Sequence, residues 1–169
     1  MSARTTPAAL PRRWLRVKFI LPALTEATSP YWRPIKYSLF PPLGLATLAA
    51  YLRPGDDALI VDEHVEGAAS TDDADRLDLV VIQVYITSAK RSYALADAYR
   101  ARGVFVALGG LHVTSLPDEA APHADAIFLG PGEQTFPGFL EDFRAGRPLR
   151  RYVSTSGRTL DRVPPDVDT

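Results

Sequence analysis

Phe105-Val106-Ala107-Leu108-Gly109-Gly110-Leu111-His112-Val113-Thr114 decides the fold of this chain. A buried-type apolar run ends in two adjacent glycines and then turns polar. The theme recurs at Ala126-Ile127-Phe128-Leu129-Gly130-Pro131-Gly132-Glu133-Gln134-Thr135. Two such strand ends place glycine-lined backbone at the carboxyl edge of a parallel sheet, where open α/β folds bind ligands. With no Cβ in the way, a large flat ligand can lie directly on that backbone.

Working outward, apolar strand-like runs alternate with helical stretches. Leu15–Leu21 reads as a first strand, closed by Pro22. Ala23–Pro42 is a long loop rich in Pro, Ser, Thr, Tyr and Trp, and loops of this length in a compact domain are usually functional or disordered. Gly44–Arg53 reads as a helix with Leu45, Leu48 and Leu52 on one face, stopped by Pro54-Gly55. Ala58–Val61 and Leu77–Val84 are the next strands, and Ser88–Arg102 is a helix ending at Gly103. Val104–Leu108 is the fourth strand. Ser115 is the expected N-cap of a short helix over Pro117–Ala121. Asp125–Leu129 is the fifth strand and Gln134–Arg144 the last helix, with Tyr152-Val153-Ser154 as a possible edge addition.

The alternation predicts a Rossmann-like, flavodoxin-like α/β fold: a doubly wound five-stranded parallel sheet in the order 2-1-3-4-5. Residues 1–13 are expected to be a disordered lead-in, 14–156 the folded domain, and 157–169, with Pro164-Pro165, a linker.

At 169 residues with a net charge of −1, the composition is that of an ordinary globular domain and favours neither nucleic acid nor membrane. Charge is segregated: up to Arg53 there are eight Lys or Arg against Glu26 alone, whereas Pro54–Val80 holds nine acids against Arg76. There is no cysteine, which excludes disulfides, thiolate zinc sites, a cysteine nucleophile and a cysteine-held iron–sulfur cluster within these residues. No signal-peptide core and no apolar run of membrane-spanning length is present, so a cytoplasmic location is expected.

The loops after the strands carry hydroxyls (Thr87, Ser88, Thr114, Ser115, Thr135), glycines and apolar residues, with few candidate acids or bases. That mixture suits gripping an amphipathic ligand better than catalysis. A dinucleotide fingerprint is missing, since Pro22 and Ala23 stand where its glycines belong, and there is neither a P-loop nor a serine elbow. A receiver domain needs acids at the ends of the first and third strands, where Pro22 and Gln83 or Val84 stand. His64, His112 and His123 each lie in a polar connection, and a lone histidine there is more often a hydrogen-bonding residue than a ligand.

Taken jointly, Pro41-Pro42-Leu43-Gly44-Leu45, Val61-Asp62-Glu63, Asp78–Ile82, Leu108–Thr114, Pro117-Asp118-Glu119-Ala120, Ala124–Ile127 and Gly130–Thr135 resemble the N-terminal cobalamin-binding domain of cobalamin-dependent radical SAM enzymes, over roughly Leu15–Pro165. The resemblance implies cobalamin with its corrin over the sheet edge and its nucleotide tail detached in a groove. By matching position, Thr87 and Ser88 would bond the tail. Gly109 and Gly110, with His112 and Thr114 beside them, would lie against the tail or its ribose phosphate. Gly130, Gly132, Glu133 and Thr135 would close the far side, and the Ala23–Pro42 loop would meet the corrin. Asp62-Glu63-His64-Val65-Glu66-Gly67 spells D-x-H-x-x-G, a cobalt-binding motif in other cobalamin domains, but there it follows the first strand, not the second. Cobalamin is therefore expected base-off, with no protein histidine on cobalt. Pro131 stands where the family more often has an acid.

The family's 4Fe-4S cluster and S-adenosylmethionine would belong to a radical SAM domain in cis or trans, and no catalytic residue is expected in this chain. A small α/β transferase using a nucleotide-type ligand and a ligand-free interaction domain remain the alternatives.

Overall fold

A computed structural model describes residues 14–23 and 42–155. The expected lead-in 1–13, nearly all of the Ala23–Pro42 loop and the expected linker 157–169 lie outside the described residues. Among the described residues six strands form one sheet: β1 (Arg16–Leu21), β2 (Asp57–Asp62), β3 (Leu79–Gln83), β4 (Phe105–Gly109), β5 (Ala126–Leu129) and β6 (Arg151–Val153). Their order is β2-β1-β3-β4-β5-β6 and every neighbouring pair is parallel. The helices are α1 (Leu43–Ala49), α2 (Glu63–Glu66), α3 (Ala89–Ala101), α4 (Leu111–Ser115), α5 (Pro117–Ala120) and α6 (Phe136–Arg144).

Strand residues alternate between two cores, as the two-residue period of a sheet covered on both faces requires. Val17, Phe19 and Leu21 join Leu79, Val81, Ala107 and Phe128 on the face covered by α1 and α6. Ile20, Val80, Ile82, Val106, Leu108 and Ile127 line the other, under Tyr93, Ala96 and Tyr99 of α3. Lys18 shares that second face although it is only 4% exposed. Its ammonium donates to Ser70 O (3.0 Å) and Asp73 Oδ2 (2.8 Å) and stands 5.6 Å from the Tyr99 ring centroid. Burial alone would lower its pKa, but these partners outweigh it and hold the pKa above the ordinary lysine value.

The 2-1-3-4-5 order is present, but the five-strand expectation is one strand short. β6 continues the sheet beyond β5, pairing Ile127, Phe128 and Leu129 with Arg151, Tyr152 and Val153. Tyr152 secures it: its ring stacks on Phe128 at 5.2 Å, and its hydroxyl donates to Asp142 Oδ2 at 3.0 Å and accepts from Leu149 N at 2.8 Å. Two local expectations also change. Ser115 does not cap α5, because residues 111–115 themselves coil into α4 and the Ser115 hydroxyl donates back to Leu111 O (3.0 Å). The connection after β2 is not a loop throughout: Asp62 accepts the His64 amide (2.9 Å) and starts α2.

Candidate functional site

The chain runs from β1 through α1 to the outer strand β2, while β3, β4, β5 and β6 follow one another in the opposite direction. The crossovers therefore diverge between β1 and β3, and the crevice beyond the carboxyl ends of these strands is the switch-point position of an open α/β sheet. Gln83 ends β3 there. Its Nε2 donates to the Tyr85 hydroxyl at 2.8 Å, and its Oε1 lies 4.0 Å from where a Cβ on Gly44 of α1 would stand.

Apolar side chains gather on the segments that follow the strands. Leu43 is 67% exposed, Val65 76%, Ile86 69% and Leu111 69%, and Tyr85 is partly exposed. Leu43 starts α1, Val65 lies within α2, Tyr85 and Ile86 follow β3, and Leu111 starts α4. Single exposed apolar residues are ordinary, and these stand on connections that follow the strands of one parallel sheet.

The glycines have separate physical reasons. Gly110 has φ +111° and ψ −179°, and a Cβ on it would lie 2.7 Å from Val84 O and 3.0 Å from Val84 N. The turn after β4 is thus built against the backbone that leaves β3. Gly130 has φ +84° and presses on Ser154, whose Cβ would be 3.1 Å from an added Cβ. Gly109 and Gly132 have only ordinary contact distances to Phe128 and Leu48, so the fold itself leaves room for a side chain at either.

The sequence-predicted site residues fall into two groups. Thr114 joins the two glycine turns: its hydroxyl donates to Gly110 O and accepts the Gly130 amide, each at 3.0 Å. Thr135 folds back on Gly132, with its amide 3.0 Å and its hydroxyl 3.4 Å from Gly132 O. Glu133 is exposed between them, and Thr87 is half-buried in the turn Ile86–Ser88 that precedes α3. Ser88 and His112 lie beneath this surface. Ser88 is fully buried, and its carbonyl accepts the Ser92 hydroxyl at 2.8 Å.

His112 is 8% exposed, with Nε2 3.0 Å from Glu119 Oε1. That contact, with Tyr93 nearby, holds the Glu119 carboxyl below the usual carboxylate range. The Tyr93 hydroxyl is buried without a hydrogen bond of good geometry, and burial with Glu119 alongside pushes its ionisation far above the ordinary tyrosine range. On its other side Tyr93 stacks on His123 at 4.4 Å, and His123 Nδ1 lies 2.9 Å from Asp97 Oδ2.

Sequence reasoning passed over Gln83 and Tyr85, although a polar amide closing an otherwise apolar central strand was a readable signal. It also missed Glu63. This carboxylate is 6% exposed and accepts the Ala23 amide (3.0 Å), the Ala69 amide (2.7 Å) and two donors of Arg91 (2.6 and 3.2 Å). Burial alone would raise its pKa, but Arg91 and the two amides override it and hold the carboxyl below the ordinary range. Glu63 thereby ties the exit of β1 to α2 and α3. His64 sits on edge strand β2's exit, with Nδ1 2.9 Å from Asp62 Oδ1. Among the described residues no cluster of three or more His, Asp or Glu is placed to hold a metal ion. No helix of the described residues is long and apolar enough to cross a membrane.

An open parallel sheet with a glycine-lined, apolar carboxyl edge defines a ligand-binding α/β domain, and the family profile of the B12 binding domain matches residues 37–140. The chain belongs to that family. It is 33% identical over 123 residues to the bacteriochlorophyllide d C-8(2)-methyltransferase of Chlorobaculum tepidum, covering 73% of this chain and 27% of that protein. An uncharacterized methyltransferase of Pyrococcus horikoshii is 32% identical, with 73% of this chain and 29% of that protein covered. The bacteriochlorophyllide d C-12(1)-methyltransferase of Chlorobaculum tepidum is 29% identical, covering 74% of this chain and 27% of that protein. The chain thus spans less than a third of the length of these relatives.

Proposed function

We propose that this domain holds cobalamin at the carboxyl edge of its sheet and presents it to a radical SAM catalytic domain for methyl transfer. The observation that carries the reading is the edge itself. Leu43, Val65, Ile86 and Leu111 are each more than half exposed, beside glycines at which the fold leaves room. That surface fits a corrin, which is broad, flat and apolar on its faces with polar amides at its rim. Gly109, Gly110, Gly130, Gly132, Thr87, Glu133 and Thr135 would hold the nucleotide tail, with Thr114 joining the two glycine turns at the surface and Ser88 and His112 supporting them from beneath. When bound, cobalamin supplies a methyl group for transfer. The chain's own residues would bind and orient it. Methyltransferase relatives support the reaction class, and the absence of cysteine assigns any cluster-held S-adenosylmethionine to another domain or chain.

The cofactor would be held base-off, with no histidine of this chain on cobalt. The described exit of β1, Leu21-Pro22-Ala23, carries no histidine, nor does the sequence from 24 to 42, and His64 follows β2 instead. Titration with hydroxocobalamin followed by visible absorbance tests the reading. Saturable binding with a base-off spectrum that is unaltered in His64→Ala is expected. Absence of binding by the folded chain would return the choice to a nucleotide-using transferase or an interaction domain.

A further inference from the structure

The ladder between β4 and β5 is short. It holds Ala107 against Ala126 and Leu108 against Ile127 and ends there, whereas β3 and β4 stay paired through Gln83 and Gly109. β5 meanwhile follows β6 out to Leu129 and Val153, with the Ser154 amide on Leu129 O at 2.9 Å. The sheet edge therefore splits between the ends of β4 and β5, where both glycine turns lie. Across that split Thr114 makes a two-sided link. Its single hydroxyl proton goes to Gly110 O and its oxygen accepts the Gly130 amide, both at 3.0 Å. Both turns are closely packed: an added Cβ on Gly110 would meet Val84 backbone and one on Gly130 would meet Ser154.

We propose that Thr114 is a positioning residue that sets the width of the cleft between the ends of β4 and β5, and through it the affinity for the cofactor's nucleotide tail. The inference rests on the cobalamin reading of this edge. It differs from a contact role, because a hydroxyl whose proton is already donated to Gly110 O has none left for a ligand. A link that holds both walls of a cleft lowers the cost of ordering them on binding, which is preorganisation.

Thr114→Val keeps the shape and removes the hydroxyl, while Thr114→Ser keeps the hydroxyl. Each variant is compared with the wild-type chain by hydroxocobalamin titration, by thermal melting without ligand, and by amide hydrogen exchange at Gly130. The expected result is faster exchange at Gly130 in Thr114→Val, and a dissociation constant raised about three- to tenfold, the effect of one hydrogen bond. Thr114→Ser should return both to near the wild-type values. The melting temperature should move little, because both bonds are at the surface. Unchanged Gly130 exchange in Thr114→Val overturns the link. Changed exchange with wild-type affinity overturns its role in binding. Weak binding by Thr114→Ser equal to that of Thr114→Val overturns the role of the hydroxyl. A wild-type chain that binds no cobalamin overturns the functional reading itself, and the role assigned here with it.

Discussion

Gly110→Ala in the ligand-free chain separates two reasons for the double glycine. If Gly110 served a ligand alone, alanine would cost the empty protein nothing. The structure requires otherwise. At φ +111° and ψ −179° the backbone lies in a region open essentially to glycine, and a residue with a Cβ held there loses about 1–3 kcal/mol. The added Cβ also meets Val84 O at 2.7 Å and Val84 N at 3.0 Å. That backbone cannot retreat easily, because Val84 N donates to Gly109 O (2.8 Å) and Val84 O accepts from His112 N (3.3 Å). Overpacking of this kind costs about another 1–3 kcal/mol. The sum, about 2–6 kcal/mol, is a large part of the roughly 5–15 kcal/mol that stabilises a typical domain. Gly109→Ala is the control, since its nearest neighbour would be Phe128 Cβ at 3.4 Å, an ordinary contact. Urea unfolding followed by far-ultraviolet circular dichroism measures both. Gly110→Ala within about 0.5 kcal/mol of wild type, the ordinary range for surface changes, would refute the reasoning.

Gly109→Ala should instead weaken hydroxocobalamin binding with little change in the urea midpoint, because its Cβ would enter the ligand's space; unaltered affinity would move the ligand off this backbone. Tyr152→Phe removes the hydroxyl that joins Asp142 and Leu149, and should destabilise the chain by about 1–2 kcal/mol in the same unfolding assay; no loss would mean that β6 is held by other contacts. Glu63 contributes stability above its unfolded pKa, near the ordinary value of 4.5, and that contribution is lost as pH falls through its lower folded pKa. Melting temperature should therefore fall on acidification below about pH 4.5, and Glu63→Gln should show a lower plateau and a shallower fall; parallel curves would remove Glu63 from the acid transition. Under reducing conditions the 169-residue chain loaded with cobalamin should neither cleave S-adenosylmethionine nor transfer a methyl group, for want of any cysteine to hold a cluster; turnover by the chain alone would overturn the binding-module reading.

The central strands were legible in the sequence because both faces of a parallel sheet are buried, so each reads as a nearly unbroken apolar run. Leu79–Gln83 and Phe105–Gly109 are such runs. β6 was harder to read for the opposite reason. Arg151-Tyr152-Val153 has one buried residue among three, and it is held as a strand by its ladder with β5 and by the contacts of Tyr152 with Phe128, Asp142 and Leu149. α4 was illegible as a helix. Leu-His-Val-Thr-Ser has weak helical propensity, and its coil is set from outside by Val84, Glu119 and Gly130.

The site was legible in its backbone and less so in its side chains. Glycine at a strand end is a statement about space, and four glycines do lie at two strand ends, although the space at Gly110 and Gly130 is filled by the protein itself. A hydroxyl in a loop makes a weaker statement, because it bonds whichever donor or acceptor the fold brings near. Ser88 is enclosed, and Thr114 already has a partner on each side. Among the apolar residues that follow the strands, Leu43, Val65, Ile86 and Leu111 face outward. In the sequence each looks like one more core residue, since nothing local distinguishes an apolar side chain buried by its own fold from one left for a ligand. What distinguishes them is the topology, which brings the connections after the parallel strands to a single edge. If the cofactor is held at this edge as proposed, it is held through exclusion of water over a broad face, so its affinity should depend more on how the two glycine turns are held than on any single polar contact.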